Sequence, residues 1–114
     1  MPIFTLNTNI KADDVPSDFL SLTSRLVGLI LSKPGSYVAV HINTDQQLSF
    51  GGSTNPAAFG TLMSIGGIEP DKNRDHSAVL FDHLNAMLGI PKNRMYIHFV
   101  NLNGDDVGWN GTTF

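Results

Sequence analysis

Apolar and polar residues in the first third of the chain follow a strand-like, then a helical, then again a strand-like pattern. Residues 3–8 form a short strand pattern, and Pro16-Ser17-Asp18 offers a fixed φ and side-chain oxygens that can cap a helix. Lys33-Pro34-Gly35 ends that helix, and residues 37–42, rich in β-branched side chains, predict a second strand. The apolar stripe of the helix recurs at helical spacing over Phe19, Leu22, Leu26, Leu29 and Ile30.

The second half of the chain repeats this pattern. Residues 59–65 predict a strand ended by a glycine pair, and either Asp71 or Asn73 can cap the helix that follows. Gly89-Ile90-Pro91 ends this helix before a closing strand over residues 95–100. A shift of 58 positions carries four apolar residues of the first helix onto the apolar face of the second, which consists of Leu80, Leu84, Met87 and Leu88.

The repetition predicts an internal duplication within one domain over residues 1–114, with repeats at about 2–45 and 58–102. Each repeat is a βαβ unit. Two such units predict an α/β chain of the α+β two-layer type, in which a four-stranded mixed sheet carries both helices on one face.

Such a fold leaves one sheet face without cover. Residues 38–42 and 95–100 are apolar on both faces of their strands, as in sheets that are covered on both sides. The chain ends on residues 107–114, whose two large aromatics would be unusual in a frayed terminus. These features predict an obligate oligomer with the tail docked on a neighbour. The alternative is a monomer whose tail folds locally.

Composition narrows the classes of function. With 41% apolar and 15% charged residues among 114, the chain has the makeup of a globular protein. A net charge of −3 and scattered basic residues argue against a nucleic-acid partner, and no stretch has the length of a membrane helix. The absence of cysteine excludes disulfides, thiolate nucleophiles and zinc–cysteine sites. An amino terminus without a signal-peptide pattern predicts a cytoplasmic protein.

The common catalytic and metal-binding motifs are missing, so neither a metal nor a cofactor is predicted. His76 and His83 share a face of the second predicted helix, and we interpret them as solvated positions rather than metal ligands. His41 is interpreted as a hydrogen-bonded sheet residue. Asp105-Asp106 lies in a turn-forming segment and is interpreted as a solvated loop.

Pro2 is the position that suggests chemistry. If the initiator methionine is removed, the chain begins with a secondary amine at the start of a strand. An α-amino group in water has a pKa of about 7.7–8.0, and burial or a nearby cation such as Lys33 would lower it. A neutral amine can act as a general base or nucleophile near pH 7. The alternative is that Pro2 only starts an edge strand, where its missing N–H has no consequence.

Short motifs along the whole chain resemble the macrophage migration inhibitory factor family of the tautomerase superfamily. The resemblance implies a homotrimer of duplicated βαβ units that tautomerises a small aromatic 2-keto acid such as phenylpyruvate and isomerises D-dopachrome derivatives. The motifs are Pro2-Ile3-Phe4, Asn7-Thr8-Asn9, Lys33-Pro34, Ala39-Val40-His41, Phe50-Gly51-Gly52-Ser53, Ser64-Ile65-Gly66, Asn73-Arg74, Tyr96 and Val107-Gly108-Trp109-Asn110.

The resemblance also implies roles for residues. Pro2 would be the catalytic base, Lys33 would bind a substrate oxygen and keep the proline neutral, and the Ile65 N–H would hold the other oxygen beside Ser64. Part of the aromatic pocket would come from an adjacent subunit. The resemblance further implies secretion without a signal peptide and a cell-surface receptor of the invariant-chain type. The pocket walls would be Tyr96, His98, Val107, Trp109 and Phe114.

Two positions depart from the family pattern. His98 stands where the family commonly has asparagine, which predicts retained activity with an altered preference for phenolic substrates. Residues 57–60 replace the CxxC segment of relatives and exclude a thiol oxidoreductase activity by that route. Two alternatives remain, namely a non-catalytic cytokine-like protein with a vestigial pocket and the sister D-dopachrome tautomerase type.

Overall fold

The computed structural model describes residues 1–114 and contains the two predicted strand–helix–strand units. Short 3₁₀ turns connect several of the elements, and a two-stranded hairpin of β5 and β6 closes the chain. The elements are β1 (Pro2–Thr8), α1 (Phe19–Leu31), β2 (Ala39–Asn43), β3 (Ala58–Ser64), α2 (Pro70–Leu88), β4 (Met95–Asn101), β5 (Gly108–Trp109) and β6 (Thr112–Thr113).

The four long strands form one mixed sheet in the order β2-β1-β3-β4. Strands β1 and β2 are parallel, β3 and β4 are parallel, and β1 and β3 run antiparallel at the centre. Both helices pack on one face of this sheet, so the predicted α+β two-layer fold is confirmed. The equal connectivity of the two halves is what a duplication would produce, and the duplication itself stays a prediction.

The core lies between the sheet and the helices. Burial alternates along β1 and β3, so that every second side chain points at the helices. On α2 the buried residues are Leu80, Leu84 and Leu88, which belong to the predicted face, with Met87 partly buried beside them. The cluster of buried side chains consists of Phe4, Leu6, Phe19, Val27, Leu31, Ala58, Leu62, Ile68, Leu80, Leu84, Leu88, Ile90 and Met95.

The predicted apolar stripe of α1 is confirmed at Phe19, Leu26 and Ile30, which belong to the core or pack against it, and is wrong at the other two positions. Leu22 and Leu29 are exposed, Leu29 to 67%. The buried residues of α1 instead recur four apart, beginning at Phe19 and continuing through Thr23, Val27 and Leu31. Because leucines occur nearly all round this helix, apolar periodicity alone does not indicate which face meets the sheet.

The helix and strand starts also differ from the predictions. Asp18 precedes α1 without a side-chain cap bond, and α2 begins at Pro70, before either Asp71 or Asn73. Proline suits a first helical position, because the N–H that it lacks would have no partner in the helix. Residues 35–37 form a 3₁₀ turn, so β2 begins at Ala39 rather than at Tyr37.

The face of the sheet away from the helices has no cover within the chain. Residues paired in register share a face, and one row of paired residues crosses all four strands there as His41, Thr5, Thr61 and His98. This face is therefore more polar than predicted for β2 and β4. His41 is exposed and its side chain makes no hydrogen bond within the chain, which corrects its interpretation as a hydrogen-bonded sheet residue.

Of the two histidines of α2, His76 is buried and His83 is half-buried, which corrects their interpretation as solvated positions. His76 is 5% exposed and its Nε2 lies 2.8 Å from the Gly67 carbonyl oxygen. His83 is half-buried against Phe19, with its Nε2 2.9 Å from Thr23 Oγ1, and burial lowers its pKa. Both face the protein interior because α2 packs along that side. No helix is long and apolar enough to cross a membrane.

Candidate active site

The topology brings four chain segments to one end of the sheet, which we call the proline end. Strand β1 begins there at Pro2, and its parallel partner β2 begins there at Ala39. Strand β3 runs the other way and ends there at Ser64, which pairs with Pro2. Strand β4 is parallel to β3 and ends there at Asn101. The loops at this end therefore surround the start of β1.

The amino terminus and Lys33 meet at the proline end. The Pro2 side chain is fully buried, one residue inside the Met1 amine. Burial, and secondly the positive charge of Lys33, lower the pKa of the Met1 amine. The Lys33 Nζ also approaches the glycine turn after β3, lying 3.8 Å from the position that a Cβ on Gly66 would occupy. An amine and an ammonium group thus share a small region.

In the turn that follows β3, some polar groups are hydrogen-bonded within the chain and others are not. The Leu102 N–H donates to the Ser64 carbonyl at 2.8 Å, and the Gly66 N–H donates to Asn101 Oδ1 at 3.2 Å. Between them, the Ile65 N–H has no hydrogen-bond partner within the chain. The Ser64 Oγ is buried and also lacks one. An unpaired N–H beside an ammonium group is a suitable partner for an oxygen that gains negative charge.

The carboxy-terminal segment crosses the proline end. Strands β2 and β4 are the sheet edges, about 14 Å apart at three strand spacings. The segment that leaves β4 nevertheless reaches Tyr37, which precedes β2. The Tyr37 ring lies 5.4 Å from the Trp109 ring and 5.8 Å from the Phe114 ring, in edge-to-face contact with both. The Phe114 N–H also lies 3.3 Å from the Val107 carbonyl. These aromatics form a partly exposed wall beside the amino terminus.

The tail is thus folded on its own chain as the β5–β6 hairpin, with its aromatics packed on Tyr37. This arrangement is the local folding that the sequence analysis gave as the alternative. The aromatic contacts and the bonds from the Phe114 N–H to the Gly104 and Val107 carbonyls hold it there. Asp105 and Asp106 lie in an exposed 3₁₀ turn, as predicted. The oligomer stays a prediction.

Tyr96 lies at the opposite end of the sheet. It pairs with Phe59, five residues before Ser64 on the same strand, which separates Tyr96 from the proline end by about 17 Å. His98 pairs with Thr61, midway along the strand on the uncovered face. Both are exposed, Tyr96 to 70%. Within one chain, neither residue can contact the same small molecule as Pro2.

The end of the sheet that carries Tyr96 is organised by an aromatic pair and one arginine. The Phe50 and Tyr96 rings lie 4.9 Å apart. The Arg94 guanidinium lies 5.5 Å from the centre of the Phe50 ring. It donates at 2.9–3.1 Å to four main-chain carbonyls of the loop before β3, those of Phe50, Ser53, Asn55 and Pro56. We call Phe50, Tyr96 and Arg94 the Phe50–Tyr96 end; beside it lies an apolar cleft of about 330 Å³.

Sequence reasoning did not single out Tyr37, Asn101 or Arg94 as site residues. Tyr37 was assigned to a strand, although its position four residues after Lys33 was a usable signal. Asn101 acts through its side chain on the Gly66 N–H, and Arg94 acts through main-chain carbonyls. Neither interaction leaves a pattern in the sequence, because the partner groups are present in every residue or depend on the turn geometry.

Comparison with known proteins gives agreement along the full chain. Residues 1–114 match the family model described as macrophage migration inhibitory factor. A macrophage migration inhibitory factor homolog from Trichinella spiralis is 91% identical over 114 residues, and one from Trichuris trichiura is 57% identical, each match covering 100% of both chains. A solved structure of the factor from Trichinella spiralis superimposes with a TM-score of 0.97 at 92% identity, covering 98% of this chain and 99% of that chain.

Proposed function

The chain belongs to the macrophage migration inhibitory factor family of the tautomerase superfamily, and on that premise we propose that it is a keto–enol tautomerase of small aromatic 2-keto acids. Family membership supports an isomerase at the coarse level. The proposed substrates are phenylpyruvate, p-hydroxyphenylpyruvate and D-dopachrome derivatives. The observation that carries the proposal is the buried start of β1 beside Lys33, where the pKa of the terminal amine is lowered.

We propose that Met1 is removed and that the Pro2 nitrogen is the general base. The Pro2 side chain is more buried than Met1, so the causes that lower the pKa of the Met1 amine act on a proline amine as well. A neutral secondary amine at pH 7 is ready to accept a proton. No side chain has to be recruited as the base.

The reaction follows from the groups around this nitrogen. The amine removes a proton from the carbon next to the keto group, and the electrons of that C–H bond form the C=C bond of an enolate. Lys33 and the Ile65 N–H stabilise the oxygens that carry the negative charge, with Ser64 beside them. The proton on the amine is then returned to the keto oxygen to give the enol. Tyr37, Val107, Trp109 and Phe114 would hold the aromatic ring.

We propose that the site is completed by a second subunit of a homotrimer. Tyr96 and His98 can form walls of the Pro2 pocket, as the family resemblance implies, only when they come from a neighbouring chain. Within one chain, about 17 Å separates Tyr96 from Pro2. The uncovered sheet face offers a surface for such an assembly. His98 would meet the phenolic end of a substrate and change the preference between phenylpyruvate and p-hydroxyphenylpyruvate, since imidazole can donate or accept a hydrogen bond.

The family also supports a cytokine-like role. We propose that the protein acts both in the cytoplasm and, after export without a signal peptide, at a receptor of the invariant-chain type. In a non-catalytic cytokine-like protein the Pro2 pocket would be vestigial. The sister D-dopachrome tautomerase type would act on D-dopachrome in preference to phenylpyruvate. Both alternatives are outcomes of the assay that follows.

The experiment compares turnover of phenylpyruvate and D-dopachrome by protein with a mass-verified Pro2 terminus and by protein that retains Met1. We expect the Met1 form to be at least about 100-fold slower, the usual contribution of a general base. Equal rates in both samples would remove the Pro2 nitrogen from its role. No turnover in either sample would support the non-catalytic alternative, and strong preference for D-dopachrome would support the sister type.

A further inference from the structure

The turn after β3 has a main chain that needs support from outside. Gly66 and Gly67 both lie in the left-handed region, at φ of 80° and 78°. A Cβ on Gly67 would lie 3.1 Å from the Leu31 side chain, so the turn is also pressed closely against the end of α1. Such a conformation is held by the structure around it, through hydrogen bonds as well as packing.

Two of these bonds hold the β4 side of the turn. They are the Leu102 N–H to the Ser64 carbonyl and the Gly66 N–H to Asn101 Oδ1. Neither of them fixes the end of the turn at Gly67.

His76 supplies the third contact from the helix layer. Its ring is buried on α2, 6.3 Å from the Phe99 ring, and its Nε2 lies 2.8 Å from the Gly67 carbonyl oxygen. A carbonyl can only accept, so this nitrogen carries the proton and donates. The side chain reaches the turn from α2, past Phe99 of β4.

We propose that His76 is a positioning residue that fixes the Gly66–Gly67 end of this turn and so holds Lys33 and the Ile65 N–H at the spacing that the substrate oxygens need. Ile65 is flanked by the bonds at Ser64 and Gly66, its own N–H is unpaired within the chain, and the His76 bond holds the next residue of the turn, Gly67. Lys33 Nζ lies beside Gly66, so the same bonds fix the distance between the two groups that would share the negative charge. This inference rests on the proposed tautomerase function.

The second histidine of α2 is a matched control. His83 lies on the same helix face two turns later, and its Nε2 also makes one hydrogen bond, to Thr23 Oγ1, away from the turn. His76→Leu and His83→Leu therefore each remove one interior hydrogen bond and leave an apolar side chain. His76→Gln restores a donor of similar reach, whereas the shorter amide of His76→Asn stops short of the Gly67 carbonyl.

The experiment measures kcat and KM for phenylpyruvate in these four variants. We expect His76→Leu to lower kcat at least about tenfold with KM changed less than about twofold, since an oxyanion donor acts in the transition state. His83→Leu should lose thermal stability without this loss of kcat, and His76→Gln should keep most of the activity. If His76→Leu is too unstable to assay, His76→Asn takes its place.

Amide hydrogen exchange provides a readout that needs no turnover. We expect the Gly66 N–H to exchange about tenfold faster in His76→Leu or His76→Asn than in wild type, and unchanged in His83→Leu. A wild-type kcat in folded His76→Leu and His76→Asn would overturn the proposal, as would equal kcat losses in the His76→Leu and His83→Leu variants. If wild type has no turnover, the proposed function fails. The positioning role of His76 is tested separately, and it is rejected if the Gly66 N–H exchanges at the same rate in wild type and in the His76 variants.

Discussion

The two ends of the sheet use different physical means to hold functional groups. At the proline end, hydrogen bonds and left-handed glycines fix main-chain groups beside the terminal amine and the buried Pro2 ring. At the Phe50–Tyr96 end, one guanidinium fixes a loop, and the aromatic side chains it supports stay exposed. Reactive groups need exact, enclosed placement, whereas an exposed aromatic surface is available for contact with another molecule. Under the proposed function, the chain therefore separates its reacting groups from Tyr96, which would meet the substrate from another subunit.

The largest expected effect tests whether the two ends act in one site contributed by two chains. Pro2→Gly and Tyr96→Ala should each be impaired alone, by at least about 100-fold and about tenfold respectively. After co-expression, random assortment should complete about a quarter of the sites, because each half is supplied with a probability of about one half. Turnover of phenylpyruvate should then exceed the mean of the two parents about fivefold.

A mixture of Pro2→Gly with Lys33→Met is the control for this recovery. Both positions belong to the proline end of the same chain. Neither variant chain carries an intact Pro2 together with an intact Lys33, so no assortment of the two chains restores a complete proline end. Recovery in the control, or no recovery with Tyr96→Ala, would contradict the division of the site between two chains.

The next effect concerns the proline end alone. Lys33→Met should lower kcat/KM for phenylpyruvate about tenfold or more and move the rising limb of its pH profile to higher pH. The sign follows from the charge, since Lys33 lowers the pKa of the terminal amine and its removal raises that pKa. Burial is the larger cause and remains, so the shift should be partial. Lys92→Met is the control, because that lysine is paired with Asp82 and lies just before β4, at the opposite end of the sheet; an unmoved limb in Lys33→Met would refute the assignment.

The smallest effect on catalysis is expected for Arg94, the arginine of the Phe50–Tyr96 end. Arg94→Met leaves four main-chain carbonyls without their donor and should lower the free energy of unfolding by about 2 kcal/mol at fixed protein concentration. KM should rise severalfold while kcat stays close to wild type. Arg74→Met removes only an exposed ion pair with Asp71 and should change stability by less than about 0.5 kcal/mol. Equal stability losses in urea titrations of the two variants would show that the loop does not depend on Arg94.

Sequence periodicity predicted the fold well where the two faces of an element differ. Helix α2 carries charged residues on its outer side, and its buried face matched the prediction from Leu80 to Leu88. Helix α1 has leucines on both sides, so the prediction failed at Leu22 and Leu29. The polar row on the uncovered face depends on strand register, which pairs residues far apart in the chain.

The candidate site was predicted unevenly for a similar reason. The resemblance named Pro2, Lys33 and Ile65, and the topology brings these segments to one end of the sheet. It could not indicate His76 or Arg94, because each bonds to a main-chain carbonyl that any residue would provide. Contacts of that kind become visible only when the path of the chain is known.

The four hydrogen bonds from Arg94 affect which positions of the loop before β3 can vary in sequence. All four acceptors of its guanidinium are main-chain oxygens, so the shape of the loop before β3 does not depend on hydrogen bonds from the loop's own side chains to that arginine. Residues such as Thr54 and Asn55 can therefore change with little effect on the hydrogen bonds from Arg94, provided that their new side chains fit. As long as Arg94 is kept, the surface of this loop, and with it the ligands that the loop binds, can change while the fold stays the same.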